Sequence, residues 1–136
     1  MTDPYRVPMS SPDLTAAERE AIAKVMETPN LSMGQEISGF EDAVKAYTGS
    51  RHAIGVSSGT AGLHLCTRAA GIEDGDLVIT TPFSFVASAN VILFERAIPV
   101  FVDVDPVSGN IDPMLVKAAV DDIQAGGMRK SKLIRK

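Results

Sequence analysis

Ser57-Ser58-Gly59-Thr60-Ala61-Gly62-Leu63-His64 is the stretch on which the reading of this 136-residue chain turns. Ahead of it, His52-Ala53-Ile54-Gly55-Val56 is short, apolar and preceded by the turn-prone pair Gly49-Ser50, the pattern of a buried strand. Behind it, Gly62, Leu65, Cys66, Ala69 and Ile72 recur at helical spacing, and Gly71 is placed to stop the helix. The octet therefore predicts a strand-to-helix turn. The first N–H groups of such a helix lack intrahelical partners and sit at the positive end of its dipole. Gly59 lets a ligand approach the main chain, and the Ser58 and Thr60 hydroxyls add donors, so the turn can cradle a phosphate. The same residues serve equally as an ordinary N-cap by Ser58. The octet has no Gly-x-Gly-x-x-Gly and no Lys after its glycine, so the ligand expected here is a phosphorylated cofactor other than a nucleotide.

Working outward, Thr15-Ala16-Ala17-Glu18 reads as a capping box, followed by Ala21, Ile22, Val25 and Met26 on one stripe of a helix that ends before Pro29. A loop over residues 29–35 leads to a second helix with Ile37, Phe40, Val44 and Tyr47 on one face and a stop at Gly49. On the far side of the octet, Leu77-Val78-Ile79-Thr80 is an apolar strand ended by Thr81-Pro82, and Phe83 to Phe94 has helical character. Residues 98–102 form the next strand, closed by Asp103-Val104-Asp105-Pro106. Asp112-Pro113 then gives an N-cap and an N1 proline to a last helix carrying Leu115, Ala119 and Ile123.

Alternating apolar strands and helices predict an α/β fold, a three-layer αβα arrangement with a mainly parallel sheet. Ligands of such sheets sit outside the carboxyl ends of the strands. Three turns lie there: Ser57 to Thr60, Thr81 to Phe85, and Asp103 to Asp105. A pocket built from all three is expected.

Composition bounds the partners. The chain has 45% hydrophobic and 22% charged residues, as soluble globular proteins do, and 5% aromatics with no Trp, so it offers no stacking platform for nucleic-acid bases. Residues 128–136 hold five basic residues and no acids, leaving residues 1–127 with 8 basic against 17 acidic residues, a net of −9 that repels nucleic acid. The single cysteine, Cys66, excludes an internal disulfide and a cysteine-based metal cluster; on its apolar stripe it reads as a buried small hydrophobe. No metal site is expected. The N-terminus lacks the apolar run of a signal peptide and no stretch is long enough to span a bilayer, so a cytoplasmic protein with no membrane partner is expected.

With its turns in place, the chain resembles the N-terminal part of the DegT/DnrJ/EryC1/StrS family. The resemblance rests on Leu31-Ser32-Met33-Gly34 with Phe40-Glu41, on Ser57 to Ala61 with Leu63-His64, and on Thr81-Pro82-Phe83-Ser84-Phe85-Val86-Ala87. Pro99 to Pro106 and Asn110-Ile111-Asp112-Pro113 complete it, in order from about Val7 to Ile123. The resemblance implies a fold-type-I large domain whose cofactor is pyridoxal 5'-phosphate. It implies that Ser58, Gly59, Thr60 and Ala61 hold the cofactor phosphate and that Phe85 stacks on the pyridine ring; read without it, Phe85 serves equally well in core packing. Asp103 and Asp105 are assigned to the turn rather than to ligand, His64 to packing or the solvent side, and Asn90 needs a hydrogen-bond partner on its apolar face.

The family also implies amino transfer from an amino acid, glutamate in the expected case, to a keto group of a nucleotide-linked sugar, in a homodimer. Its Schiff-base lysine and pyridine-nitrogen aspartate have no counterpart in the matched segments, so no catalytic residue is assigned. The expected organisation is an extended lead-in over 1–13, a partial pyridoxal-phosphate-binding large domain over 14–125, and a basic tail over 126–136 foreign to the family. Such a fragment is expected to be inactive alone, to expose apolar surface, and to owe its tail to a frameshift or premature end. The alternatives are a non-catalytic remnant that binds pyridoxal phosphate, phosphate or a full-length homologue, and an unrelated phosphate-binding α/β domain.

Overall fold

Two parallel strands, Leu77–Thr80 (β1) and Ile98–Phe101 (β2), carry the fold in a computed structural model that describes residues 10–127. Residues 1–9 of the expected lead-in and 128–136 of the basic tail lie outside the described residues. The chain divides between Gly55 and Val56 into two compact units.

The first unit holds Ala16–Met26 (α1) and Gln35–Thr48 (α2). The capping box forms as predicted: the Ala17 N–H donates to Thr15 Oγ1 (3.2 Å) and the Thr15 N–H to Glu18 Oε2 (2.6 Å). Gly49 ends α2 at φ 72°, a left-handed cap that a Cβ disfavours, and its N–H donates to the Lys45 carbonyl. Neither helix has a buried residue, and Ile22, Met26, Phe40 and Tyr47 are exposed.

The strand expected over 52–56 is absent: the segment carries no ladder. A strand needs a neighbour for its N–H and C=O groups, and the Gly55 N–H donates instead to the Glu41 carboxylate of α2 (2.7 Å). The parallel sheet therefore has two strands among the described residues rather than three.

The second unit contains Gly59–Ala69 (α3), β1, Ala87–Phe94 (α4), β2 and Pro113–Gln124 (α5). Leu77 pairs with Ile98 and Thr80 with Phe101. A parallel pair needs a crossover, and α4 supplies it. It packs on both strands and on α3. Ala87, Val91 and Ile92 of α4 are buried with Ala97, Val100 and Val102, while Ile72 and Val78 pack against this centre. The Asp112 carboxylate accepts from the Met114 N–H (2.7 Å) to cap α5, with Pro113 at its start.

Cys66 is exposed, contrary to the expectation of burial. It shares an open apolar groove with Leu63, Ala70, Val78, Ile79 and Ile92, so its stripe is apolar without being covered. Leu63, Leu65, Phe83, Phe94 and Phe101 are likewise exposed, the apolar surface that the sequence reading expected.

Candidate functional site

At the head of α3, Ser58 is extended (φ −166°, ψ 162°) and its hydroxyl accepts the Ala61 N–H (3.1 Å). Its carbonyl accepts the Gly62 N–H (3.0 Å), the first turn of the helix ladder. The Gly59 and Thr60 N–H groups precede that ladder and are left to an outside acceptor. Gly59 is exposed, and a Cβ built on it would meet no atom within 4 Å. Thr60 and Ala61 are half-buried. The Ser58 side chain is thus an N-cap, and of the backbone donors assigned from the sequence, that of Ala61 already has an acceptor.

The turn after β1 is held by its own hydroxyls. Thr81 Oγ1 accepts the Phe83 N–H (3.2 Å), and the Ser84 and Ser88 hydroxyls pair at 2.9 Å. Phe85 is 77% exposed at the rim of a depression of about 230 Å³ lined by Thr81, Pro82, Ser84, Ser88 and Phe101. Core packing therefore does not account for this ring, whose face is free to stack.

The third turn is structural. The Asp105 carboxylate accepts the Ser108 (2.6 Å) and Val107 (3.1 Å) N–H groups, and these bonds, Ser108's first, hold its carboxyl below the usual range. The Val104 N–H donates to Asp103 Oδ1 (2.8 Å), and Val104 bridges antiparallel to Ile111. The loop lies beside Phe83, 4.0 Å from the Cβ position of Gly109. Of the three turns expected to share one pocket, only Thr81–Phe85 lines the depression, joined by the last residue of β2. Ser57–Thr60 and Asp103–Asp105 do not line it. Asn90 is half-buried, and among the described residues no buried side-chain polar atom lacks a partner.

Sequence reasoning missed one cluster. His64 Nε2 lies 2.5 Å from Glu95 Oε1, and Arg68 Nη1 donates to both Glu95 oxygens (3.2 and 3.1 Å). The imidazole also stands edge-on to Phe94, centroids 5.2 Å apart. An ionised carboxylate only accepts, so the imidazole is the donor. The His64 hydrogen bond first, then Arg68, lowers the Glu95 carboxyl below its ordinary value against the opposing effect of burial. The signal was present in the sequence: an acid at a helix C-terminus opposes the helix dipole and calls for a cation nearby.

Residues 12–128 match the model of the DegT/DnrJ/EryC1/StrS aminotransferase family. The chain is 40% identical over 114 residues to the spore coat polysaccharide biosynthesis protein SpsC of Bacillus subtilis, covering 84% of this chain and 29% of SpsC. It is 38% identical over 121 residues to GDP-perosamine synthase of Caulobacter vibrioides, covering 88% of this chain and 33% of the synthase. The pyridoxal-phosphate form of Spr1654 from Streptococcus pneumoniae superposes with a TM-score of 0.79 at 30% identity, over 85% of this chain and 29% of that one. The chain thus spans about a third of the length of the relatives it matches. A model match over most of its residues, in the order of the turns described above, makes the chain a member of the DegT/DnrJ/EryC1/StrS aminotransferase family.

Proposed function

We propose that this chain supplies the phosphate-binding turn and the ring-stacking aromatic of a pyridoxal-phosphate-dependent enzyme that transfers an amino group to a nucleotide-linked keto sugar. One observation carries the reading: Gly59 and Thr60 open an 11-residue helix at a head where Ser58 and Gly59 are exposed, in the segment matched by an aminotransferase family. The residues fit the cofactor. An exposed Gly59 suits a dianionic phosphate drawn to a helix N-terminus, and the exposed Phe85 suits a flat heteroaromatic ring. Thr60 adds a hydroxyl donor, and Ser58 Oγ, accepting from Ala61, still has its own O–H to give.

When bound, pyridoxal phosphate supplies the electron sink for amino transfer. The residues of this chain bind and orient it; none of Lys24, Lys45 and Lys117 adjoins the turn in sequence, each standing on α1, α2 or α5. On this reading the chain alone holds the cofactor weakly and does not complete transamination. The substrate, the amino-acid donor, a homodimeric state and a cytoplasmic setting follow from the same proposal. Among the described residues no helix is long and apolar enough to cross a membrane.

The test is an absorbance titration of the full chain with pyridoxal phosphate. Saturable binding that weakens in Phe85→Ala supports the proposal. Binding absent in the wild type, or untouched by Phe85→Ala, refutes it.

A further inference from the structure

We propose that Glu95 is a positioning residue for the cofactor site, bridging α4 to His64 and Arg68 of α3 so that the phosphate turn and Phe85 keep one spacing. The inference rests on the pyridoxal-phosphate reading above and adds to it the residue that sets the geometry.

The two helices run toward the same end of the sheet. Residues 70–76 join α3 to the start of β1, and residues 95–97 join α4 to the start of β2. These connections are tied together: the Gly75 N–H donates to the Arg96 carbonyl (3.1 Å), the Ile98 N–H to the Asp76 carbonyl (2.7 Å), and Arg96 Nε to Asp74 Oδ2 (2.9 Å). Both C-termini therefore lie at the amino ends of the strands. Both N-termini, one bearing Ser58–Thr60 and the other following Phe85, point to the carboxyl ends.

Apolar packing seats α4 on α3 through the buried Val91 and Ile92, with the smaller Cys66, Thr67 and Ser88 beside them. Glu95 adds a directional polar tie to that packing. Its side chain is only 11% exposed, and its two oxygens take a hydrogen bond from His64 and a shared pair from the single Arg68 Nη1, on successive turns of α3. Two donors at i and i+4 on one carboxylate fix both the height and the rotation of α3 against α4. A ligand that touches both helix heads senses this spacing, whereas one that touches only the α3 head does not.

That difference is the test. On the reading proposed above, pyridoxal phosphate reaches both the turn and Phe85, whereas inorganic phosphate reaches the turn alone. Dissociation constants for both are measured on the full chain and on Glu95→Ala and Glu95→Gln, below the Tm of each variant. The expected result is a loss of pyridoxal-phosphate affinity of about 2-fold to 30-fold in Glu95→Ala, a smaller loss in Glu95→Gln, and no change for inorganic phosphate. If Glu95→Ala does not fold, His64→Ala and Arg68→Ala remove the same bridge from the α3 side and are expected to act alike. Equal losses for both ligands, or a lower Tm with unchanged affinities, assign Glu95 to stability alone and overturn the proposal. A wild-type chain that binds no pyridoxal phosphate overturns the underlying reading and the proposal with it, an outcome distinct from wild-type binding that ignores Glu95.

Discussion

Ser58→Asp separates a helix cap from a phosphate cradle. Ser58 caps α3 through a 3.1 Å bond from the Ala61 N–H, and aspartate caps as well as serine does. Stability should therefore hold within a few tenths of a kcal/mol, whereas Ser58→Ala, which loses the bond, should cost about 1 kcal/mol. The ligand sees something else. A carboxylate at position 58 stands beside the Gly59 and Thr60 amides, where the proposed phosphate carries about two negative charges. One charge against two at about 4 Å repels by about 2 kcal/mol even at the dielectric of water, a loss of about 30-fold in affinity. Position 58 is exposed, so the aqueous figure is the appropriate one. The assay pairs thermal unfolding with a pyridoxal-phosphate titration at low salt, repeated at higher ionic strength, where screening should recover part of the loss. Wild-type affinity in Ser58→Asp would refute the cradle and leave Ser58 as a cap.

Two further outcomes are expected. Ile92 is 2% exposed in the small centre formed with Val91 and Ala97, so Ile92→Ala should cost about 2–3 kcal/mol in urea unfolding, the low side of its class because the site adjoins an open groove into which it can collapse; a cost below about 1 kcal/mol would show that this cluster is not the core. The second concerns acid. Because the Glu95 carboxyl is lowered by folding, its contribution is present above the unfolded value of about 4.3 and is lost as the pH falls through the folded value. Tm measured from pH 6 to pH 3 should accordingly fall less steeply in Glu95→Gln than in the wild type, and parallel curves would exclude the linkage.

Local signals carried most of the fold. The capping box at Thr15 and Glu18, the stop at Gly49, both parallel strands and the Asp112-Pro113 start of α5 were legible because each is decided within a few residues. Residues 52–56 failed for the opposite reason. Strand pairing is a long-range property, and an apolar run states only that a neighbour would be welcome. Cys66 failed in the same way: helical spacing places it on an apolar face, but whether anything covers that face is not written in the helix. At the site, the cap at Ser58 followed from turn chemistry, while the bridge from Glu95 to a histidine 31 residues earlier required the packing of α3 on α4.

The mismatch between apolar pattern and burial is itself informative. All four residues of β1 are half-buried although Leu77, Val78 and Ile79 present apolar side chains to both faces of the strand. A strand so composed is suited to a sheet covered on both sides. Among the described residues α4 packs on β1 and on β2, and the groove lined by Leu63, Cys66, Val78 and Ile79 stays open. The candidate site does not share this dependence on further cover. Its donors are backbone amides fixed by the Ser58 cap, its aromatic follows a turn held by Thr81 and Ser84, and both are anchored to helices tied by Glu95. Local capping and one half-buried carboxylate can therefore preserve the head of the site where, among the described residues, the sheet that supports it is two strands wide.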